Sequence, residues 1–144
     1  MKGCIYSSIF AIMLILCGCL EQENQETYQD EEFVSWMILK AKEITNYMNL
    51  SVGALKENNL YLTKKYADLG YNYCVDTLNT IHSYKISDNI KEFYRYSYDY
   101  LTDAKMFFFY ISCYAETQDV NYLDKADTAL AEVEKDLDGM IRNR

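Results

Sequence analysis

The chain has 144 residues and a formal net charge of −8, room for one domain and no basic footprint for nucleic acid. Half of its residues are hydrophobic and a quarter charged, which excludes a disordered chain and points to an ordinary globular core. Proline is absent, where about seven would be usual, and Gly53, Gly70 and Gly139 stand alone inside apolar-periodic stretches, so long uninterrupted helices are expected.

Met1-Lys2-Gly3 opens the chain, an uncharged run follows from Cys4 to Leu16, and the sequence then passes through Cys17-Gly18-Cys19 into Glu21-Gln22-Glu23. A positive start, a short apolar run and small residues before a cleavage point mark an export signal. The run is short for a membrane span, which needs about 20 residues. Leu16, Cys17, Gly18 and Cys19 resemble the lipobox of prokaryotic lipoproteins, in which Leu, a small residue and Gly or Ala precede the acylated Cys. The resemblance implies a signal peptide over 1–18, recognition of Leu16, Cys17 and Gly18 by the signal peptidase, and lipid on Cys19. Cys17 departs from the more usual Ala, Ser or Thr but is still small. An ordinary signal peptide cut nearby and an uncleaved N-terminal anchor are the alternatives, and either also places the domain outside the cytoplasm. The expected location is therefore the extracytoplasmic side of a cell membrane or envelope, held by two or more acyl chains, a number that anchors stably where one does not.

Residues 19–32 carry the lipid site and a stretch rich in Glu, Gln, Asp and Asn with no apolar periodicity, expected as a flexible acidic tether. The helical domain is expected over 33–144. Phe33, Trp36, Met37, Ala41, Ile44, Tyr47, Met48, Val52 and Leu55 recur at steps of three and four and predict a first helix. Its start suits the preceding Glu31 and Glu32, which complement the helix dipole. The polar run Lys56 to Asn59 predicts a turn, with Asn59 capping a second helix from Leu60 to Ser83 whose stripe is Leu62, Tyr66, Leu69, Tyr73, Leu78 and Ile81.

Ser87-Asp88 opens a third segment with Ile90, Phe93, Ser97, Tyr100, Ala104, Phe107, Ile111 and Tyr114 on one face. Within it Tyr94, Tyr96, Tyr98 and Tyr100 alternate with polar residues, which is a strand pattern. The absence of Gly, Pro or a turn cluster from Asn89 to Thr117 favours helix. After Thr117-Gln118-Asp119, the stripe Tyr122, Leu123, Ala126, Ala129, Leu130, Val133, Leu137, Met140 and Ile141 predicts a fourth, strongly amphipathic helix. Four such helices on short connections predict an all-α, up-down-up-down antiparallel four-helix bundle. Tetratricopeptide-like helical hairpins are the alternative, disfavoured by helices too long for a 34-residue repeat.

Little in the sequence points to chemistry. His82 is the only histidine, so paired-histidine metal motifs and a zinc cluster are excluded, and no haem-attachment motif occurs. No catalytic residue, cofactor or metal is expected. Asp124, Asp127, Glu132, Glu134, Asp136 and Asp138 lack the glycine turn of a calcium loop and read as a solvated helix face. Cys74 and Cys113 lie eleven residues before and twenty-eight after a turn centred on Lys85. That is an offset of roughly 25 Å along the bundle, so two unpaired, partly buried thiols are expected. The fifteen tyrosines are the compositional oddity. They serve either as core residues with a hydroxyl at the surface or as a binding surface, for which Tyr71, Tyr94, Tyr96, Tyr98 and Tyr100 are the candidates. The expected function is lipid-anchored binding of another envelope protein through the bundle. A small-ligand receptor or enzyme with an aromatic pocket between helices is the alternative.

Overall fold

The structure is a computed structural model that describes residues 27–144; the expected signal peptide, the lipobox-like residues and the acidic stretch as far as Glu26 lie outside the described residues. Among the described residues four helices make up the fold, α1 (Asp30–Lys56), α2 (Leu60–Ile81), α3 (Lys91–Thr117) and α4 (Asn121–Arg142), and a 3-10 turn, Asp88–Ile90, precedes α3. Consecutive helices pack against each other as an all-α four-helix bundle. There is no strand among the described residues, and the alternating tyrosines lie on α3.

α1 starts at Asp30, three residues ahead of its apolar stripe, so the tether expected to reach residue 32 gives way to helix earlier. The cause is local. Asp30, Glu31 and Glu32 fill the first turn, where carboxylates oppose the positive end of the dipole. The Asp30 carboxylate also accepts hydrogen bonds from the backbone N–H and hydroxyl of Ser87, while Gln29 donates its backbone N–H to the Lys85 carbonyl. The entry to α1 is thereby latched to the connection between α2 and α3. Asn59 caps α2 as expected, its side chain accepting from Leu62 N–H.

The face buried by α2 differs from the expected stripe. Thr63, Ala67, Gly70, Cys74, Thr77 and Ile81 are buried, whereas Leu69 is exposed and Leu62, Tyr66, Tyr73 and Leu78 flank the buried row. Small residues let the neighbouring helix come close, and Thr63 and Thr77 satisfy their hydroxyls on the carbonyls of Asn59 and Tyr73 one turn back. Into this shallow face α3 inserts Phe108. A Cβ built on Gly70 would lie 2.4 Å from the Phe108 ring, so glycine is required there by contact. Gly139 on α4 is in the same position against Tyr96, also at 2.4 Å.

α3 is the hub. Phe93, Tyr100, Leu101, Ala104, Phe107, Phe108 and Ile111 are all buried, and each large side chain withdrawn from water contributes about 1.5–3 kcal/mol before packing losses. Tyr100 is completely buried, and its hydroxyl donates to the Ala41 carbonyl of α1 at 3.2 Å. Phe33 of α1 meets Phe93 edge-on, with ring centroids 5.8 Å apart. α1 therefore leans on α3 rather than on α4, with which it makes no extensive packing. The bundle is sealed along three seams and open along the fourth.

Candidate functional site

The open seam is a groove of about 370 Å³ between α1 and α4. Its walls are Ile38, Ala41, Lys42 and Thr45 on α1, and Leu137, Met140 and Ile141 near the end of α4, with Arg144 two residues beyond that helix. Steps of three, four and seven place the α1 set on one helix face over about two turns, and steps of three and four place the α4 set on one face over about one turn. Phe93 of α3, buried, forms the floor. Ile38 and Ile141 are 44% and 53% exposed although they are large aliphatic residues. Lys42 and Arg144 are exposed beside them, so the lining is an aliphatic strip with a cationic rim on a chain of net charge −8. The fourth-helix stripe had included Ile141 as a core residue; at the end of α4 it faces the groove instead.

The five tyrosines singled out in the sequence do not share a face. Tyr100 points into the core, and burial pushes its phenol up to about 12. Tyr94 is half-buried against Phe33, centroids 5.4 Å apart, and its hydroxyl lies 2.9 Å from His82 Nδ1. Tyr98 is 40% exposed and flanks the same imidazole. Tyr96 turns to α4 and covers Gly139, with the Arg95 guanidinium stacked 4.0 Å over its ring. Tyr71, on α2, is half-buried against the core. Rotation of about 100° per residue separates them, as the helix geometry requires.

Two clusters were missed by the sequence reading because their members are far apart in the chain. On the α2–α3 seam Ser112 donates its hydroxyl to Asp68 at 2.6 Å, and Lys64 donates to Asp68 at 3.0 Å and to Ser112 at 3.3 Å. A serine beside a lysine suggests a nucleophile and its base. Here the hydrogen bond to the Asp68 carboxylate raises the Lys64 pKa, which keeps the ammonium charged and unable to take a proton. The trio joins two helices. On the α3–α4 seam a second cleft contains Asp103 and Asp136, and Asp136 is 5% exposed. The expectation of a solvated acidic face on the fourth helix fails at that residue, because Gly139 draws α4 close enough to α3 to enclose the neighbouring turn.

Cys74 and Cys113 are free thiols, the first fully buried and the second partly so. Burial pushes Cys74 up to about 12, so it is protonated and inert. The helices run level with Gly70 beside Phe108 and Asp68 beside Ser112. This register sets Cys74 opposite Lys105, leaving Cys113 about eight residues, or about 12 Å, further along. The offset is half of that expected because the α2–α3 connection turns nearer residue 89 than Lys85.

Comparison with family models, with curated proteins and with solved structures returns no match. Among the described residues no helix is long and apolar enough to cross a membrane, and no group of three or more His, Cys, Asp or Glu side chains is placed to hold a metal ion.

Proposed function

We propose that this protein is a lipid-anchored, extracytoplasmic adaptor that captures an amphipathic helix of another envelope protein in the α1/α4 groove. The groove is the observation that carries the reading. Two aliphatic ridges, the Phe93 ring as floor and an open top suit a helical segment whose apolar side chains recur every three or four residues. Lys42 and Arg144 favour carboxylates flanking that apolar face. Phe93 is the single aromatic residue in the lining, which supports a protein helix over a small ligand held in an aromatic pocket. Leu16, Cys17, Gly18 and Cys19 support attachment through acyl chains, and residues 20–29 would give the bundle reach from the surface. Membrane, lipid and partner are thus three separate parts of one reading, and two measurements separate them.

For the anchor, radiolabelled fatty acid should enter the wild-type protein and not Cys19→Ser, which should leave the membrane fraction; a Cys19→Ser protein that stays membrane-bound removes the lipid. For the groove, a photo-crosslinking residue placed at Ile38 or Ile141 should yield one discrete crosslinked product in intact cells. The same residue at Asn72, exposed on α2, should yield none. Ile38→Glu with Ile141→Glu should abolish co-purification of the crosslinked partner while leaving the helical content unchanged. Equal crosslinking from α2 and from the groove overturns the assignment.

A further inference from the structure

The α3–α4 cleft around Asp136 is separate from the groove and built from different chemistry. It measures about 280 Å³ and is lined by Arg95, Tyr96, Asp99, Thr102, Asp103, Glu132, Lys135 and Asp136. Four carboxylates thus face two cations, and both cations are already engaged. Arg95 bonds Glu92 at 3.0 Å and Asp99 at 3.3 Å, and Lys135 bonds Glu132 at 2.6 Å. Asp103 and Asp136 form no ion pair of their own and feel only the charge of Lys135, which is bonded to Glu132. Asp136 is the more demanding of the two. It is 5% exposed, and its Oδ2 is fully buried with no hydrogen-bond partner. A buried carboxylate oxygen with no donor costs stability, and two facing carboxylates cannot supply one another with a donor unless a proton is added. The cleft is therefore short of positive charge and of hydrogen-bond donors at the same point.

We propose that this cleft binds a small primary alkylammonium ion, whose three N–H donors are shared between Asp136, Asp103 and a further oxygen of the lining. A metal ion fits less well, because no three acidic side chains converge as ligands among the described residues. An ammonium group needs only two or three acceptors and tolerates their flexible spacing. Thr102 donates its hydroxyl to the Tyr98 carbonyl, which leaves its lone pairs available as the third acceptor. The volume exceeds what a bare ion occupies and accommodates a short alkyl chain, with the Tyr96 ring as an apolar wall.

The site competes with protons. The charged and titratable groups facing Asp136 are Arg95, Tyr96, Asp99 and Asp103 from α3 and Glu132 and Lys135 from α4; α1 and α2 contribute nothing to the lining. Burial, the hydrogen bond with Asp103 and the charges of Asp103 and Asp99 together push Asp136 up to about 6. Below that pH a proton occupies the pair, and ammonium binding must release it to solvent. Affinity should therefore be about tenfold weaker near pH 5 than near pH 7.5.

The test is calorimetric and thermal titration of the full chain in detergent with butylammonium chloride, against sodium chloride at matched ionic strength and against calcium chloride. Saturating butylammonium should raise Tm by about 5 °C near pH 7.5, with binding about tenfold weaker near pH 5. Both effects should vanish in Asp136→Asn, which is isosteric and expected to fold, and should shrink in Asp103→Asn. A butylammonium effect that sodium reproduces, or that persists in Asp136→Asn, overturns the proposal. So does a larger stabilisation by calcium, which would make it a metal site, or no binding by butylammonium at either pH, which would leave the proton as the sole occupant.

Discussion

The two seams made by α4 solve the same problem in opposite ways. Against α3, α4 presents Gly139 to the ring of Tyr96 and buries Asp136, so backbones approach closely and even a carboxylate is enclosed. Against α1, the same helix presents Leu137 and Ile141 to an open face, leaving an aliphatic trough. The residues that look most like core, two isoleucines, stand half in solvent, and the residue that looks most like surface, an aspartate, is buried. Side-chain size accounts for the difference. Small residues permit contact between helices, whereas large apolar ones contribute burial only where a partner surface is brought to them.

Substitutions can break this contrast in graded steps. The largest effect is expected at the sealed seams. Gly70→Ala drives a methyl into the fully buried Phe108 ring and should destabilise the protein by about 2–3 kcal/mol in denaturant titration. Gly139→Ala should cost less, about 1–2 kcal/mol, because Tyr96 is only half-buried and can swing outward. Equal and negligible losses at both glycines would mean that the seams are not in close contact. Gly53, with nothing within 4 Å of an added Cβ, is the internal control, and Gly53→Ala should stabilise α1 by about 0.5–1 kcal/mol.

The buried carboxylate gives an effect that depends on pH. Asp136 has a raised pKa, about 6, so the folded state holds its proton more tightly than the unfolded state does. Its stabilising contribution is complete below the unfolded carboxylate pKa and is lost as pH rises through about 6. Asp136→Asn, with an amide that can donate to Asp103, should match the wild type near pH 4 and exceed it by about 1–2 kcal/mol near pH 8. A variant that loses stability at pH 8 would mean that Asp136 is ionised and paired. At the open seam, by contrast, Ile38→Glu should change stability by no more than about 0.5 kcal/mol, since the side chain is already 44% exposed. A comparable small gain is expected from Gln118→Gly, because Gln118 ends α3 with φ at 57°, where glycine is unstrained. Its check is a rise in the thermal midpoint without change of slope.

Much of the fold was legible because helix periodicity is a local property. Of the α1 stripe, Phe33, Met37, Ala41, Ile44 and Met48 are buried and Trp36 and Tyr47 flank them half-buried, Asn59 caps α2, and α3 and α4 largely follow their apolar faces. α2 was misread in detail, since hydrophobicity singles out Leu and Tyr while the buried row is made of Thr, Ala, Gly and Cys. Its isolated Gly70 was the available signal. The tyrosine alternation on α3 carries no information about a shared surface, because residues two apart on a helix point about 200° apart. Neither the groove nor the acid pair could be read from the chain, for each is assembled across helices from residues dozens of positions apart.

By itself, the sequence determined an all-helical chain with four amphipathic segments and short turns, together with the lipobox resemblance at Leu16 to Cys19. Periodicity, capping and the absence of proline act over a few residues and need no partner to be effective. Only the tertiary structure decided which helix would be the hub, which glycines are contact points, and which of two similar seams would close. Those outcomes depend on how the volumes of facing side chains match, and Phe108 fits over Gly70 while nothing in the described chain fits over Ile38 and Ile141.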